Sequence, residues 1–187
     1  MPLFEKQKNT INRFAPGTAS AFSAIKHDSK GGFNKKYFLA GICILALYLV
    51  HLIFGIQWTW LTALQHNAVY KQGTGFLLFS VVAYQYWLAF SRHRVSAAVK
   101  KRRIQAHKWF GVVIMLLLFI HSVSLGHAYQ SLLLIIFVSN CVVGLFNIET
   151  MKLNRSSYFV WVVIHVTLAN VTIAMALYHI YITYQFS

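Results

Sequence analysis

Four of the nine histidines in this chain form two pairs with the same spacing. His107 and His121 are 14 residues apart, and so are His165 and His179. Because 14 residues make nearly four turns of an α-helix, each pair would lie on one helical face, with its members about 21 Å apart. Two imidazoles that face each other from neighbouring helices are what the bis-histidine coordination of a b-type haem requires. Haem binding of this kind requires two neighbouring helices that place one histidine pair opposite the other.

The composition is typical of a membrane protein. Of the 187 residues, 58% are hydrophobic, and there are 17 Lys and Arg but only 3 Asp and Glu. A net charge of +14 could indicate nucleic-acid binding, but the basic residues lie in short blocks between long uncharged runs. The runs without Asp, Glu, Lys or Arg are 37–70, 72–91, 109–148 and 156–187. Each can cross a bilayer, which takes roughly 20 helical residues, so we expect a membrane protein that binds no nucleic acid.

The third run is too long for one crossing, and the polar stretch GHAYQS at 126–131 divides it. The pattern therefore predicts an all-α membrane protein, a five-helix transmembrane bundle. The predicted helices are at about 37–60, 72–91, 104–125, 130–149 and 158–184. Residues 1–36 would form a basic N-terminal segment, and residues 37–187 would form the transmembrane haem-binding domain.

The basic residues predict the orientation. They are concentrated in the N-terminal segment, in the second connection at 91–108 and in the fourth connection, whereas the first connection has only Lys71. The positive-inside rule then places the N-terminus in the cytoplasm and the C-terminus outside. We expect a multi-pass protein of the cell membrane, such as a bacterial inner membrane. The basic blocks would contact anionic lipid head groups, or alternatively form a docking face for an acidic electron donor.

In this topology the two helices with paired histidines run in the same direction. His107 would then face His165 near the cytoplasmic side, and His121 would face His179 near the outer side. A porphyrin needs room between the two levels. Residues on the histidine face are small on the last helix, at Ala169, Thr172 and Ala176, and Gly111 occupies the first such position on the third helix. The eight residues His107, His121, His165, His179, Gly111, Ala169, Thr172 and Ala176 are therefore the candidate haem site.

The segments H107-KWFGVVIMLLLFI-H121 and H165-VTLANVTIAMALY-H179 resemble the dihaem transmembrane core of the ferric reductase and NADPH oxidase superfamily. The arrangement is also similar to that of the cytochrome b subunits of bc complexes. The resemblance implies two haem b groups, each held by one histidine pair through its iron. It also implies electron transfer from a cytoplasmic donor to an external acceptor, as an electron-transfer component of an oxidoreductase.

No glycine-rich nucleotide fingerprint accompanies this pattern. The electron donor is therefore expected to be a separate molecule, either a cytoplasmic protein, a soluble reductant or a quinol. The external acceptor would be a metal ion, a quinone, oxygen or a redox protein. Two alternatives stay open: a quinone-linked cytochrome b anchor subunit of a multi-subunit oxidoreductase, and a histidine-lined carrier of metal or haem without redox turnover.

Three further histidines, His51, His66 and His127, lie near the predicted outer haem level. They could help to receive a metal ion or contact a haem propionate or a quinone, and together they are a candidate external acceptor site. Single histidines at such positions are more often merely solvated or bonded to a neighbouring helix. Cys43 and Cys141 are far apart and in no CxxC or CxxCH motif, so neither a redox dithiol nor covalently attached haem is expected.

Overall fold

The structure is a computed structural model, and it describes residues 35–56, 58–91, 95–122, 128–146 and 154–185. These residues form six α-helices and no β-strand, which confirms the all-α prediction for this part of the chain. In chain order the helices are α1 (Lys35–Phe54), α2 (Thr59–His66), α3 (Ala68–Phe90), α4 (Ala97–His121), α5 (Tyr129–Leu145) and α6 (Arg155–Gln185).

Four helices, α1, α3, α4 and α6, are long and apolar enough to cross a membrane. The fifth apolar helix, α5, has 17 residues, which rise about 26 Å and so come close to a hydrocarbon layer of about 30 Å. The outward faces of the helices carry large apolar side chains, among them Leu47, Ile53 and Leu177. An apolar outer surface of this extent is unusual in water but is what lipid tails require.

The first predicted helix, 37–60, is divided in the structure. α1 ends at Phe54, and Gly55 follows with φ +58°, a left-handed conformation that glycine adopts without steric cost. The chain then begins the separate eight-residue helix α2 at Thr59. As a result, Trp58 lies in the connection between two helices and reaches back towards α1.

The third predicted helix, 104–125, begins earlier than expected. α4 begins at Ala97, so the basic residues from Lys100 to Arg103 lie on its first turns and not in a loop. Lys and Arg have good intrinsic helix propensity, which explains the extension. The other helices begin within about four residues of their predicted positions. α5 ends at Leu145, and residues 147–149 of the predicted helix 130–149 lie outside the described ranges.

The apolar core lies between α1, α4 and α5. Two clusters of buried side chains fill it, both with members from all three helices. The buried residues are Tyr37, Leu45, Val112, Met115 and Leu145 in one cluster, and Tyr48, Ile114, Leu118, Leu134 and Phe137 in the other. Gly41 permits the close approach of α1 to α5, because a Cβ at this position would overlap with the Leu145 side chain.

The remaining contacts arrange four helices in a ring. α3 packs along α4, α4 contacts α5, and α5 packs along α6. α6 and α3 complete the ring, since the Tyr86 hydroxyl donates a hydrogen bond to Asn170 Oδ1 at 2.9 Å and the Phe76 ring contacts the Tyr184 ring. α4 and α6, which carry the four paired histidines, are therefore diagonal neighbours across the interior of this ring.

Candidate functional site

The structure brings His107 of α4 and His165 of α6 into direct contact. Their ring centroids are 6.2 Å apart, and the ring planes are nearly perpendicular, at 88°. An imidazole nitrogen binds a transition metal at about 2 Å, so two imidazoles on opposite sides of one metal ion have centroids about 6 Å apart. The separation of the two rings therefore matches that of two axial ligands of one iron.

Two residues hold the His165 ring in place. The Trp161 indole lies one turn earlier on α6 and stacks on the imidazole, with centroids 5.3 Å apart and planes 12° apart. Its Nε1 donates a hydrogen bond to the carbonyl oxygen of Val143 at 2.8 Å, which fixes the indole against α5. On the α5 side, Gly144 leaves the space that the imidazole needs, because a Cβ at Gly144 would be 3.3 Å from His165 Cε1.

The backbone at His107 is fixed from α3. The buried Gln85 side chain donates from Nε2 to the His107 carbonyl oxygen at 2.9 Å. Gly111, the next candidate residue on α4, lies beside the same amide, and a Cβ at Gly111 would be 3.6 Å from Gln85 Nε2. Gly111 thus contributes to the close packing of α4 against α3.

At the other end of α4, Thr74 orients the His121 ring. The Thr74 hydroxyl donates its single proton to the Tyr70 carbonyl oxygen at 2.8 Å, and Thr74 Oγ1 is 3.0 Å from His121 Nδ1. Since the hydroxyl proton is already used, Thr74 accepts a hydrogen bond from Nδ1–H of His121. The neutral imidazole then keeps its lone pair on Nε2, the form in which histidine binds a metal, with the other ring nitrogen held by a neighbouring group.

Gly75 makes room for this ring in the way that Gly144 does for His165. A Cβ at Gly75 would be 3.1 Å from His121 Cε1, which is closer than ordinary van der Waals contact. The imidazole of His121 therefore packs against α3 in the space that Gly75 leaves open because it has no side chain.

Side chains from three elements cap the end of α4 that carries His121. Helix C-termini leave carbonyl groups without intrahelical partners. Gln65 of α2 donates to the carbonyl oxygens of Ile120 at 2.9 Å and Phe119 at 3.4 Å, and the Tyr70 hydroxyl also donates to Ile120. The Tyr48 hydroxyl of α1 donates to the Ser122 carbonyl oxygen at 3.3 Å. The backbone around His121 is thus held by α1, α2 and α3 together.

His179, the fourth paired histidine, is half-buried on α6. Tyr129, the first residue of α5, is the ring neighbour of His179, with centroids 6.0 Å apart. The Tyr129 hydroxyl is 3.5 Å from His179 Nδ1, at the long limit of a hydrogen bond. His121 thus lies against α3, and His179 lies against the start of α5.

The small residues between the two levels of α6 differ in burial. Thr172 is buried, and its hydroxyl donates to the Leu168 carbonyl oxygen of its own helix at 2.8 Å. Ala169 and Ala176 are half-buried. Because the Thr172 hydroxyl is satisfied within α6, this stretch offers an apolar surface between His165 and His179.

Of the three remaining candidates, His51 and His66 lie among the described residues, and each has its own contacts. His51 is buried on α1, where its Nδ1 accepts a hydrogen bond from Trp58 Nε1 at 3.2 Å and its ring contacts Phe119 edge-on. His66 is exposed at the end of α2, and its Nδ1 is 2.7 Å from the Thr62 carbonyl oxygen of the same helix. His127 lies outside the described residues. His51 therefore joins the connection after α1 to the end of α4.

Within the described ranges there is no group of three or more His, Cys, Asp or Glu residues that could hold a metal ion. Protein sites for bare zinc use three or four protein ligands. A haem brings its four ring nitrogens and takes only axial ligands from the protein, so paired histidines suffice.

Sequence reasoning missed the residues that orient the histidines. Trp161 precedes His165 by four residues, so helical periodicity places the two side chains on one face and could have predicted their contact. Thr74, Gly75, Gln85 and Gly144 are on other helices than the histidines they contact. Their contacts depend on how α3 and α5 pack, and no local pattern indicates them.

Comparisons of the chain with protein-family models, with curated proteins and with solved structures find no match. The function is therefore argued from the histidine pairs and their surroundings.

Proposed function

We propose that this protein is a membrane cytochrome b that carries electrons across the membrane between a cytoplasmic donor and an external acceptor. Two haem b groups would be bound, one by His107 and His165 and the other by His121 and His179. The observation that carries the proposal is the 6.2 Å separation of the His107 and His165 rings on diagonal helices.

The proposal includes a topology of five crossings with the N-terminus in the cytoplasm. α5 is counted as a crossing because it is a largely apolar helix of 17 residues that runs between the ends of α4 and α6. Basic side chains on the first turns of α4, from Lys100 to Arg103, support a cytoplasmic position for that end. The connection from α1 to α3, at the candidate outer level, has Lys71 as the only Lys or Arg of its sequence.

A bound haem supplies one-electron redox chemistry, and the residues of this chain would decide where and how tightly it is held. The histidines provide axial nitrogens. Thr74 fixes the ring nitrogen of His121 that does not bind iron, and Trp161 fixes the plane of His165. Surrounding apolar side chains exclude water and lower the local dielectric, which tunes the reduction potential.

An absorption spectrum tests this function most directly. We expect the purified protein in detergent to show the bands of a reduced b-type haem after addition of dithionite. The ratio of haem to protein should be two, because each histidine pair binds one haem. Haem is quantified by the pyridine haemochrome method and protein by amino-acid analysis. A well-folded but colourless protein, produced with haem in excess, would contradict the proposal.

A groove on the lipid side of α5 and α6 favours a membrane-dissolved quinol as the donor, which is the second candidate function. The groove has a volume of about 390 Å³ and is lined almost entirely by apolar side chains, a size within the usual range of ligand sites. Its lining residues are Val142, Val143, Phe146, Ser157, Val160, Trp161 and Ile164. Trp161 borders the groove and also stacks on His165, and Tyr158 stacks on Trp161 in turn. The Trp161 indole would then lie between a quinol in this groove and His165, the proposed inner haem ligand.

Filling the groove tests the quinol candidate. We expect Ile164→Trp to slow haem reduction by a short-chain quinol at least tenfold, because the indole occupies the groove. Reduction by dithionite should not change. Val163→Trp is the matched control, since Val163 is similarly exposed but does not line the groove. Equal rates for Ile164→Trp and Val163→Trp would exclude the groove as the quinol site and leave a cytoplasmic donor.

A further inference from the structure

Arg103 is the basic residue nearest to the proposed inner haem ligand on the same face of α4. It precedes His107 by four residues, so the two side chains lie on one side of the helix, about 6 Å apart along its axis. The guanidinium lies over the Trp87 indole, with Cζ 5.1 Å from the ring centroid. One guanidinium nitrogen also donates a hydrogen bond to the Ser91 carbonyl oxygen. Trp87 and Ser91, at the end of α3, thus hold the Arg103 side chain at the inner end of the α3–α4 contact.

Among the described residues, these contacts use only part of the guanidinium's hydrogen-bonding capacity. Arginine has five N–H donors and is always charged. A half-buried guanidinium usually pairs with a carboxylate or phosphate, since burial of an unpaired charge is costly. All three acidic residues of the chain, Glu5, Asp28 and Glu149, lie outside the described residues. Within the described ranges, therefore, no protein carboxylate can be the partner of Arg103.

We propose that Arg103 binds a propionate carboxylate of the haem held by His107 and His165. This inference rests on the proposed function, because it requires haem at the inner level. A haem b carries two propionates and needs cationic or polar partners for them where it is buried. Arg103 offers a planar pair of N–H groups that matches a carboxylate, and the Trp87 contact orients that pair in advance.

A lipid phosphate would recognise a guanidinium by the same chemistry, but the position of Arg103 favours the haem. Arg103 is half-buried between α3 and α4, whereas its neighbours Lys101 and Arg102 are exposed. Side chains that contact head groups extend outwards from the helix bundle. Trp87, which Arg103 contacts, is itself exposed, so the half-burial of Arg103 and its four-residue spacing from His107 are what favour the haem.

The test compares Arg103→Gln with Arg103→Lys and with the exposed neighbour variant Arg102→Gln. The readout is the midpoint potential of each haem, from a redox titration in nanodiscs of phosphatidylcholine. In the wild-type protein the positive charge of Arg103 stabilises the reduced haem more than the oxidised haem. We therefore expect Arg103→Gln, which removes this charge, to lower the midpoint potential of one haem only. Arg103→Lys should keep most of the wild-type potential, and Arg102→Gln should leave both potentials unchanged.

A His165→Ala background identifies the haem that responds. If Arg103 binds the inner propionate, the haem that remains in His165→Ala should keep its potential when Arg103→Gln is added. Equal shifts from Arg103→Gln and Arg102→Gln would overturn the inference, and so would a shift that occurs only in nanodiscs with anionic lipid, which would indicate a lipid phosphate. A colourless wild-type protein would contradict the proposed function itself, so the two failures are distinguishable.

Discussion

Replacement of His165 by alanine is expected to lower the haem content from two to one per chain. The reason is that the inner haem would lose one of its two axial ligands, and no other described histidine is in ring contact with His107. The haem at the other level should remain, since His121 and His179 are on the opposite end of the same helices. Haem quantification on monodisperse detergent-purified protein measures the loss, and redox titration should then show one component in place of two.

The reciprocal variant and a neutral control make this result specific. His121→Ala should remove the other haem, so the component that survives in His165→Ala should be the one that disappears in His121→Ala. His66→Ala is the control, because His66 is exposed and its ring contacts only a carbonyl of its own helix. Loss of both haems from a folded His165→Ala protein would contradict the division into two independent levels. Loss of haem from His66→Ala would show that replacement of a histidine weakens haem binding even where the histidine is not an axial ligand.

The relative placement of the histidines along each helix could be predicted from the sequence. Fourteen residues come close to four full turns, so the equal spacing of the two pairs places them on matched faces wherever the segments are helical. The choice of partner could also be predicted, from the alternation of crossings. The structure has His107 beside His165, while the pairing of His121 with His179, haem binding and the direction of electron flow stay predictions.

Two features of the first helix could not be predicted from periodicity. The run at 37–70 contains no charge, so hydropathy alone does not show that the helix ends at Phe54. The end depends on the positive φ of Gly55 and on the hydrogen bond from Trp58 to His51. This bond makes His51 part of the tertiary structure, with α2 folded over the end of α4. The sequence offers His51 no obvious partner. Its hydrogen bond with Trp58 forms only because the chain turns at Gly55.

The two histidine levels differ in how the protein holds the rings. At His165 the imidazole is fixed by aromatic stacking on Trp161, whereas at His121 it is fixed by a hydrogen bond to Thr74. A hydrogen-bonded Nδ1–H makes an imidazole a stronger electron donor to iron. Arg103 would add positive charge at the proposed inner level, and Lys71 at the proposed outer level. The two levels are therefore expected to have different reduction potentials.

Two glycines share one feature, which is contact with a histidine ring from an adjacent helix. Gly75 of α3 contacts His121, and Gly144 of α5 contacts His165; an added Cβ would be 3.1 Å and 3.3 Å from the respective Cε1 atoms. A valine side chain at either position would extend further into the space of the ring. We expect Gly75→Val to displace His121 and remove one haem, and Gly144→Val to displace His165 and remove the other. The overpacking itself costs about 1–3 kcal/mol, which a bundle of this size should tolerate.

Gly73→Val provides the matched control for this prediction. Gly73 lies two residues from Gly75 on α3, and a Cβ there would meet no atom within 4 Å. The same substitution in the same helix should therefore leave two haems per chain, so a change in helix propensity cannot explain a loss in Gly75→Val. Haem content and redox titration of the three variants decide the outcome. If Gly75→Val and Gly144→Val each kept both haems with unchanged potentials, the rings that contact these glycines could not be axial ligands in the arrangement described.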